Sequence, residues 1–360
     1  MHWELSEEQN LYADSLRDWL SARAGSEQAR TWFDADDQHT FDGLLTEEGW
    51  AGVGFDESAG GQGGGVLELA LAARELGRAA APSAPWLARC IADELLTGEP
   101  ELARAALEGG ELTAAAVRAD RIPGSSAAAW RDGRVSGEIR CVLAAGQAVR
   151  FIVPATDPDG RTILVLVDRT AEGVQVRPRP LLDRSRSAAD VLLTDAPARP
   201  LQVGDAEDAL RRMADRAAVL VAADALGAAE RMLEMTVEYA KQRKQFGKPI
   251  AAFQAVKHAA AQMLVTVESS YSIALFAAAS LQDAGPDAGL HAAAAKAQVT
   301  GHCAELADSA LTVHGAIGYT WEYDLQLFYK RAKLDAVLFG SAEAWNERIA
   351  TQLPILPTAS

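Results

Sequence analysis

The chain has 360 residues, a formal net charge of −16, 49% hydrophobic and 23% charged residues. That balance describes a globular protein large enough for two or three domains and excludes a disordered one. The acidity argues against nucleic acid or an anionic membrane surface as the general partner. The three cysteines (Cys90, Cys141, Cys303) are far apart, with no CxxC or Cys/His spacing. Neither a disulfide framework nor a metal site is therefore expected. MHWELSEEQN lacks the basic and apolar regions of a signal peptide, and no run approaches the length of a membrane span. The expectation is a cytoplasmic protein.

Residues 1–108 read as a helical domain. Ser6 can cap a helix carrying Leu11, Leu16 and Trp19, GFDESAGGQGGG (54–65) is a loop, and VLELALAARELGRA (66–79) is helix again. The Gly-rich loop follows no strand and lacks a following Lys-Ser/Thr, so a phosphate loop is not expected. Residues 109–204 change texture. RDGRVSG (131–137) reads as strand-turn-strand, and VRFIVPA, RTILVLVD and GVQVRPRP are β-branched runs bounded by Pro, Asp and Gly. They predict a small β-barrel or sandwich. From 205 to 354 the helical period returns. Val256, Ala260, Met263, Leu264, Val267, Tyr271 and Leu275 share one spacing, Gly285-Pro286 breaks that helix, and further helices follow over about 290–313 and 322–339. Four long helices with short breaks predict an antiparallel bundle, giving an α+β multidomain fold.

Several polar groups have plain readings. Glu230, Glu234 and Glu238 recur every four residues, as a solvated stripe would. The adjacent His302 and Cys303 are expected to pack in the core. Trp321-Glu322 suits either an acyl chain or an interface. One stretch stands apart. From Tyr239 to His258 there are five cations (Lys241, Arg243, Lys244, Lys248, Lys257) and no carboxylate. Lys241 to Phe246 reads as a helix end, with Gly247 as its left-handed cap and Pro249 as the stop. Cations at a helix C-terminus can be simple capping.

EYAKQRKQFGKPIAAFQAVKHAAAQM (238–263) resembles the RxQFGxPIxxFQ signature of the acyl-CoA dehydrogenase family. HGAIGYTWEYDLQLFYKRAK (314–333) is similar to that family's HGGxGY stretch, and residues 47–79 to its N-terminal domain. The resemblance covers nearly the whole chain. It implies an α domain, a β domain and a four-helix bundle, FAD as cofactor, and α,β-desaturation of an acyl-CoA with electrons passed to an electron-transfer flavoprotein. It also implies that Arg243, Gln245 and Phe246 hold the adenosine-diphosphate half of an FAD bound by a neighbouring subunit, with Gln254 and the Gly315–Gly318 turn completing the wall. A guanidinium suits phosphate oxygens, and small residues allow backbone close to a cofactor. Thr312 and Ala316 stand where the family usually has Gln and Gly.

The family's base, a Glu that removes the α-proton, is missing. Phe339 falls at the usual position, and Ala217 or Ala218 at the alternative one on the first bundle helix; neither Phe nor Ala takes a proton. Asp215 is two or three positions away. AVRADRIPGSSAAAW (116–130) replaces the family's flavin- and acyl-CoA-binding loop, keeping only Gly124, Ser125 and Ser126. LAAGQAV (143–149) replaces its flavin-packing Trp segment. The resemblance therefore implies no catalytic residue here and a shared FAD site. The chain would be the non-catalytic subunit of an α2β2 heterotetramer with a paralogous catalytic partner, like those of actinobacterial steroid side-chain catabolism. Alternatives are a homomeric flavoenzyme with a displaced base or monooxygenase chemistry, and a purely structural or regulatory partner.

Overall fold

The computed structural model describes residues 5–124 and 128–353. Ser125 and Ser126, of the replaced loop, lie outside them. Two compact units emerge. One gathers the chain up to Gln28, Ala70–Ala81 and the chain from Ala218; the other holds Ala29–Leu69 and Pro82–Ala217.

The helices of the N-terminal third are α1 (Glu7–Arg23), α2 (Ser26–Asp34), α3 (His39–Glu47), α4 (Val66–Arg78), α5 (Ala84–Ala92) and α6 (Pro100–Glu108). Ser6 caps α1 as expected. Its side chain accepts from the Gln9 amide while Gln9 reaches back to the cap amide, a reciprocal pair that satisfies two otherwise orphaned donors. Leu16 is buried on α1, but Leu11 is 68% exposed. Within the unit holding α3 and α5, the Arg89 guanidinium on α5 donates to Asp42 of α3 at 2.7 Å.

The strands of that unit are β1 (Thr113–Ala115), β2 (Ala128–Arg131), β3 (Arg134–Leu143), β4 (Arg150–Thr156), β5 (Thr162–Asp168), β6 (Val174–Arg179), β7 (Ala188–Pro197) and β8 (Arg199–Pro200). They form one continuous sheet in the order β6-β7-β3-β2-β4-β5-β8, with β1 paired to β4. The pairs of β1 and β2 with β4 are parallel and the rest antiparallel. The β2–β3 turn is Asp132-Gly133, both at positive φ, which matches a two-residue hairpin to strand twist. β7 supplies the longest pairing with β3 although the sequence reading placed no strand there; its AADVLLTDAP mixes both faces and masks the alternation.

The C-terminal third comprises α7 (Ala206–Gln242), a small hairpin of β9 (Lys244–Gln245) and β10 (Lys248–Pro249), α8 (Gln254–Gln282), α9 (Ala288–His314), α10 (Leu325–Asp335) and α11 (Ala342–Gln352). The expected helix over 322–339 is thus shorter, and α11 follows it. α9 is the hub, packing against α8, α10 and α11. α4 and α7 approach so closely that each needs a glycine. A Cβ on Gly77 would meet the Asp224 carbonyl at 2.1 Å, and one on Gly227 the Arg74 carbonyl at 1.8 Å.

Three readings of the bundle are corrected. Glu230 is no solvated residue; it is 7% exposed because Arg74 and Arg78 of α4 both pair with it. Of the His302-Cys303 pair only Cys303 is buried. α8, finally, is long and apolar enough by length and composition to cross a membrane, with a window of mean hydropathy 1.4. Only 44% of that window is buried, and Leu264 and Val265 are 49% and 61% exposed.

Candidate functional site

The basic stretch does not end as a capped helix. α7 stops at Gln242, and the Arg243 amide closes the last turn on the Tyr239 carbonyl at 2.8 Å. The chain then forms the β9–β10 hairpin, closed by the Ile250 amide on the Arg243 carbonyl at 2.8 Å. Gly247 has positive φ as predicted, but as the second turn residue, not as a helix cap. The first is Phe246, at φ 51 and 92% exposed. A bulky residue in the left-handed region costs about 1–2 kcal/mol. It is held there by the hairpin and by an edge contact with Phe253, whose ring also carries Lys248 Nζ at 4.5 Å.

Lys241, Arg243, Lys244, Gln245, Lys248, Gln254 and Lys257 all reach solvent. Among the described residues the Arg243 guanidinium has no ion-pair or hydrogen-bond partner, unlike most arginines of this chain. An unpaired guanidinium among ammonium groups fits a phosphate-bearing cofactor.

Thr312, Gly315 and Gly318 come together at the end of α9, where Gly315–Tyr319 forms a 3-10 turn. Their roles differ. Gly315 (φ 67) faces open space, so its backbone is free to approach a ligand. Gly318 is buried, and a Cβ there would meet Leu311 at 2.8 Å and Leu325 at 3.1 Å; its smallness serves packing behind the turn. The Thr312 hydroxyl donates back to the Asp308 carbonyl at 2.8 Å.

An aromatic cluster that sequence reasoning missed joins this turn to α7. His314 stacks on Tyr239 with ring centres 4.6 Å apart, and its Nε2 lies 3.1 Å from the Tyr323 hydroxyl. The HxxxxxxxxY spacing was visible, but its link to Tyr239 depends on the fold.

The expected base positions are closed. Ala217 and Ala218 are fully buried. Phe339 is 2% exposed, at φ 57, with its carbonyl accepting from the Trp345 indole at 3.0 Å. Next to it, Lys296 Nζ donates to the carbonyls of Gly340 (2.8 Å) and Asp335 (3.0 Å), fixing the turn between α10 and α11.

Burial pushes the Lys296 ammonium down from 10.5 to about 7, with the Asp335 carboxylate opposing. The folded value lies below the unfolded one, so the unfolded chain binds the extra proton between them. Stability is therefore lost as pH falls from 10.5 towards 7, by up to about 1.4 kcal/mol per pH unit from this group. Lys296→Met should remove that slope in urea unfolding across this range. Parallel profiles for the two proteins would refute it.

On the sheet, the polar groups in and around residues 116–130 and 143–149 pair with side chains of this chain. Arg118 forms a two-pronged pair with Asp120 at 2.9 and 2.6 Å, and Arg179 another with Asp190 at 3.0 and 2.9 Å. In the 143–149 segment, the carbonyls of Ala145, Gly146 and Ala148 all accept from Arg169.

Comparisons with known proteins agree with this architecture. The family model of the acyl-CoA dehydrogenase N-terminal domain matches residues 6–107, and that of the C-terminal domain residues 207–353. The chain belongs to the acyl-CoA dehydrogenase family. It is 30% identical over 356 residues to acyl-CoA dehydrogenase IpdE2 of Mycobacterium tuberculosis, covering 96% of this chain and 98% of that protein. It is 35% identical over 302 residues to acyl-CoA dehydrogenase FadE34 of the same organism; the match takes in 84% of this chain but 40% of FadE34. Among solved structures, a variant of the Tcur3481–Tcur3483 steroid ACAD superposes with TM-score 0.86 at 28% identity, covering 96% of this chain and 97% of that one.

Proposed function

We propose that this chain is the non-catalytic subunit of a heteromeric acyl-CoA dehydrogenase, completing an FAD site whose flavin-ring half belongs to a paralogous subunit. Bound FAD would supply the hydride acceptor for α,β-desaturation. The residues of this chain would only bind: Arg243 on the pyrophosphate, with Gln245, Phe246, Gln254, Thr312 and Gly315 as the surrounding wall and Gly318 packed behind its turn. A base, the acyl-CoA contacts and the docking of an electron-transfer flavoprotein would come chiefly from the partner.

The carrying observation is an asymmetry. The hairpin presents Arg243 and its neighbouring lysines to solvent, while Phe339 buries a phenyl ring where a carboxylate would be needed. The part-exposed apolar side of α8 supports a further subunit, and the two-component name of the Tcur3481–Tcur3483 enzyme supports a heteromer and a steroid-type acyl group.

The test is flavin content and native mass, with the chain expressed alone and with its paralogue. The expected result is little flavin alone and one FAD per pair in a tetramer. Arg243→Ala should weaken retention roughly 10–100-fold, the range of a lost charge-assisted bond. Full flavin in the chain alone would overturn the reading in favour of a self-sufficient flavoenzyme.

A further inference from the structure

His314 is buried to 3% exposure and touches three elements at once. Its Nδ1 lies 2.8 Å from the Ala310 carbonyl on its own helix, α9. A carbonyl only accepts, so Nδ1 carries the proton and Nε2 is left to accept from the Tyr323 hydroxyl. Its ring face rests on Tyr239 of α7, and the Met235 carbonyl, one turn earlier on α7, also lies against it. Tyr323, on the segment leading into α10, packs on both other rings, 5.1 Å from His314 and 6.2 Å from Tyr239. Tyr239 is also the residue whose carbonyl receives the Arg243 amide, and His314 immediately precedes Gly315. One imidazole thus stands between the root of the basic hairpin and the root of the glycine turn.

We propose that His314 is a positioning residue: as a neutral, Nδ1-protonated ring it locks the end of α7 to the Gly315–Tyr319 turn, so that Arg243 and Gly315 are presented as one rigid surface. The stack alone would leave the rings free to slide; the hydrogen bonds at both nitrogens fix the ring's angle about α9. Tyr323 closes the third side and orients the acceptor nitrogen.

The experiment is amide hydrogen exchange on the chain itself, native and with His314→Phe, which keeps an aromatic stack and removes both hydrogen bonds. Tyr323→Phe, which removes one hydroxyl, is the second variant and carries the test if the first does not fold. The expected result is roughly tenfold faster exchange at both Ile250 in the hairpin and Thr320 after the turn, with the buried amides of α9 around Val299 unchanged. In the native chain, imidazole nitrogen shifts should report the Nδ1–H form.

Acceleration of the turn with the hairpin untouched would overturn the coupling. Uniform acceleration of every amide would reduce His314 to general stability, and an Nε2–H ring would overturn the assignment. The consequence for FAD rests on the function proposed above. In the complex with its paralogue, His314→Phe should speed flavin release in the same direction as Arg243→Ala. If Arg243→Ala leaves flavin release unchanged, the cofactor reading fails, while the coupling still stands or falls by exchange alone.

Discussion

Gly227→Ala is expected to destabilise the chain by about 3 kcal/mol or more and to lower its Tm by roughly 4 °C or more. An alanine normally favours a helix over glycine by about 1 kcal/mol, so the expected sign runs against propensity. The reason is the α4–α7 crossing. The new Cβ would sit 1.8 Å from the Arg74 carbonyl, which is helix backbone and cannot swing aside. The two helices would have to separate, and they are held by Arg74 and Arg78 on Glu230. Gly301→Ala on α9 is the control: its Cβ would meet only the Ala342 methyl at 3.8 Å, an ordinary contact. That variant should be neutral or slightly more stable. Thermal melts of the three proteins decide the matter, and equal melting for both variants would mean that the crossing is not tight.

Arg331→Ala should be at least as damaging, costing about 3–5 kcal/mol. Arg331 is wholly buried on α10; its Nη1 lies 2.8 Å from both carboxylate oxygens of Asp224, and its Nη2 donates to the Ala81 carbonyl at 2.6 Å. Truncating it would strand a carboxylate that is itself 2% exposed. The pair need not be a net source of stability, because desolvating two charges offsets most of their attraction. The double variant Arg331→Met with Asp224→Leu should therefore recover much of the loss. Urea unfolding of the singles and the double closes a cycle; a cost below about 1 kcal/mol for Arg331→Ala would place the pair in solvent.

How much of this was legible in the sequence depended on how local the cause is. The Ser6 cap and the Asp132-Gly133 turn are fixed by neighbouring residues, and both read correctly, although the reciprocal bond from Gln9 was not foreseen. The helix–sheet–bundle order followed from periodicity. Three-residue spacing, however, does not say which stripe of an alanine-rich helix faces inward. Leu264 shares the period of Met263 and Val267 and still points to solvent. The hairpin at 243–250 misled because Gly-Lys-Pro after a helical run suits a helix stop equally well; that Phe246 would take positive φ has no local signal. The Glu230 stripe looked solvated because its partners lie some 150 residues earlier, on α4. The Tyr239–His314–Tyr323 cluster was hidden for the same reason.

The unit built from the chain up to Gln28, Ala70–Ala81 and the chain from Ala218 is woven from three separated stretches. A ribosome adding about 5–20 residues per second would leave α1 waiting roughly 10–40 s before the stretch from Ala218 begins to complete its unit. The seal is later still, since Ala81 meets Arg331 only once α10 has been made. The other unit, Ala29–Leu69 with Pro82–Ala217, lies wholly before Ala218 and can complete first. Nascent chains of this protein therefore carry Leu16 and Leu20 of α1 without their full packing until the stretch from Ala218 has been made, which makes slow translation of that stretch a route to aggregation and sets a demand for chaperones that finished stability would not reveal.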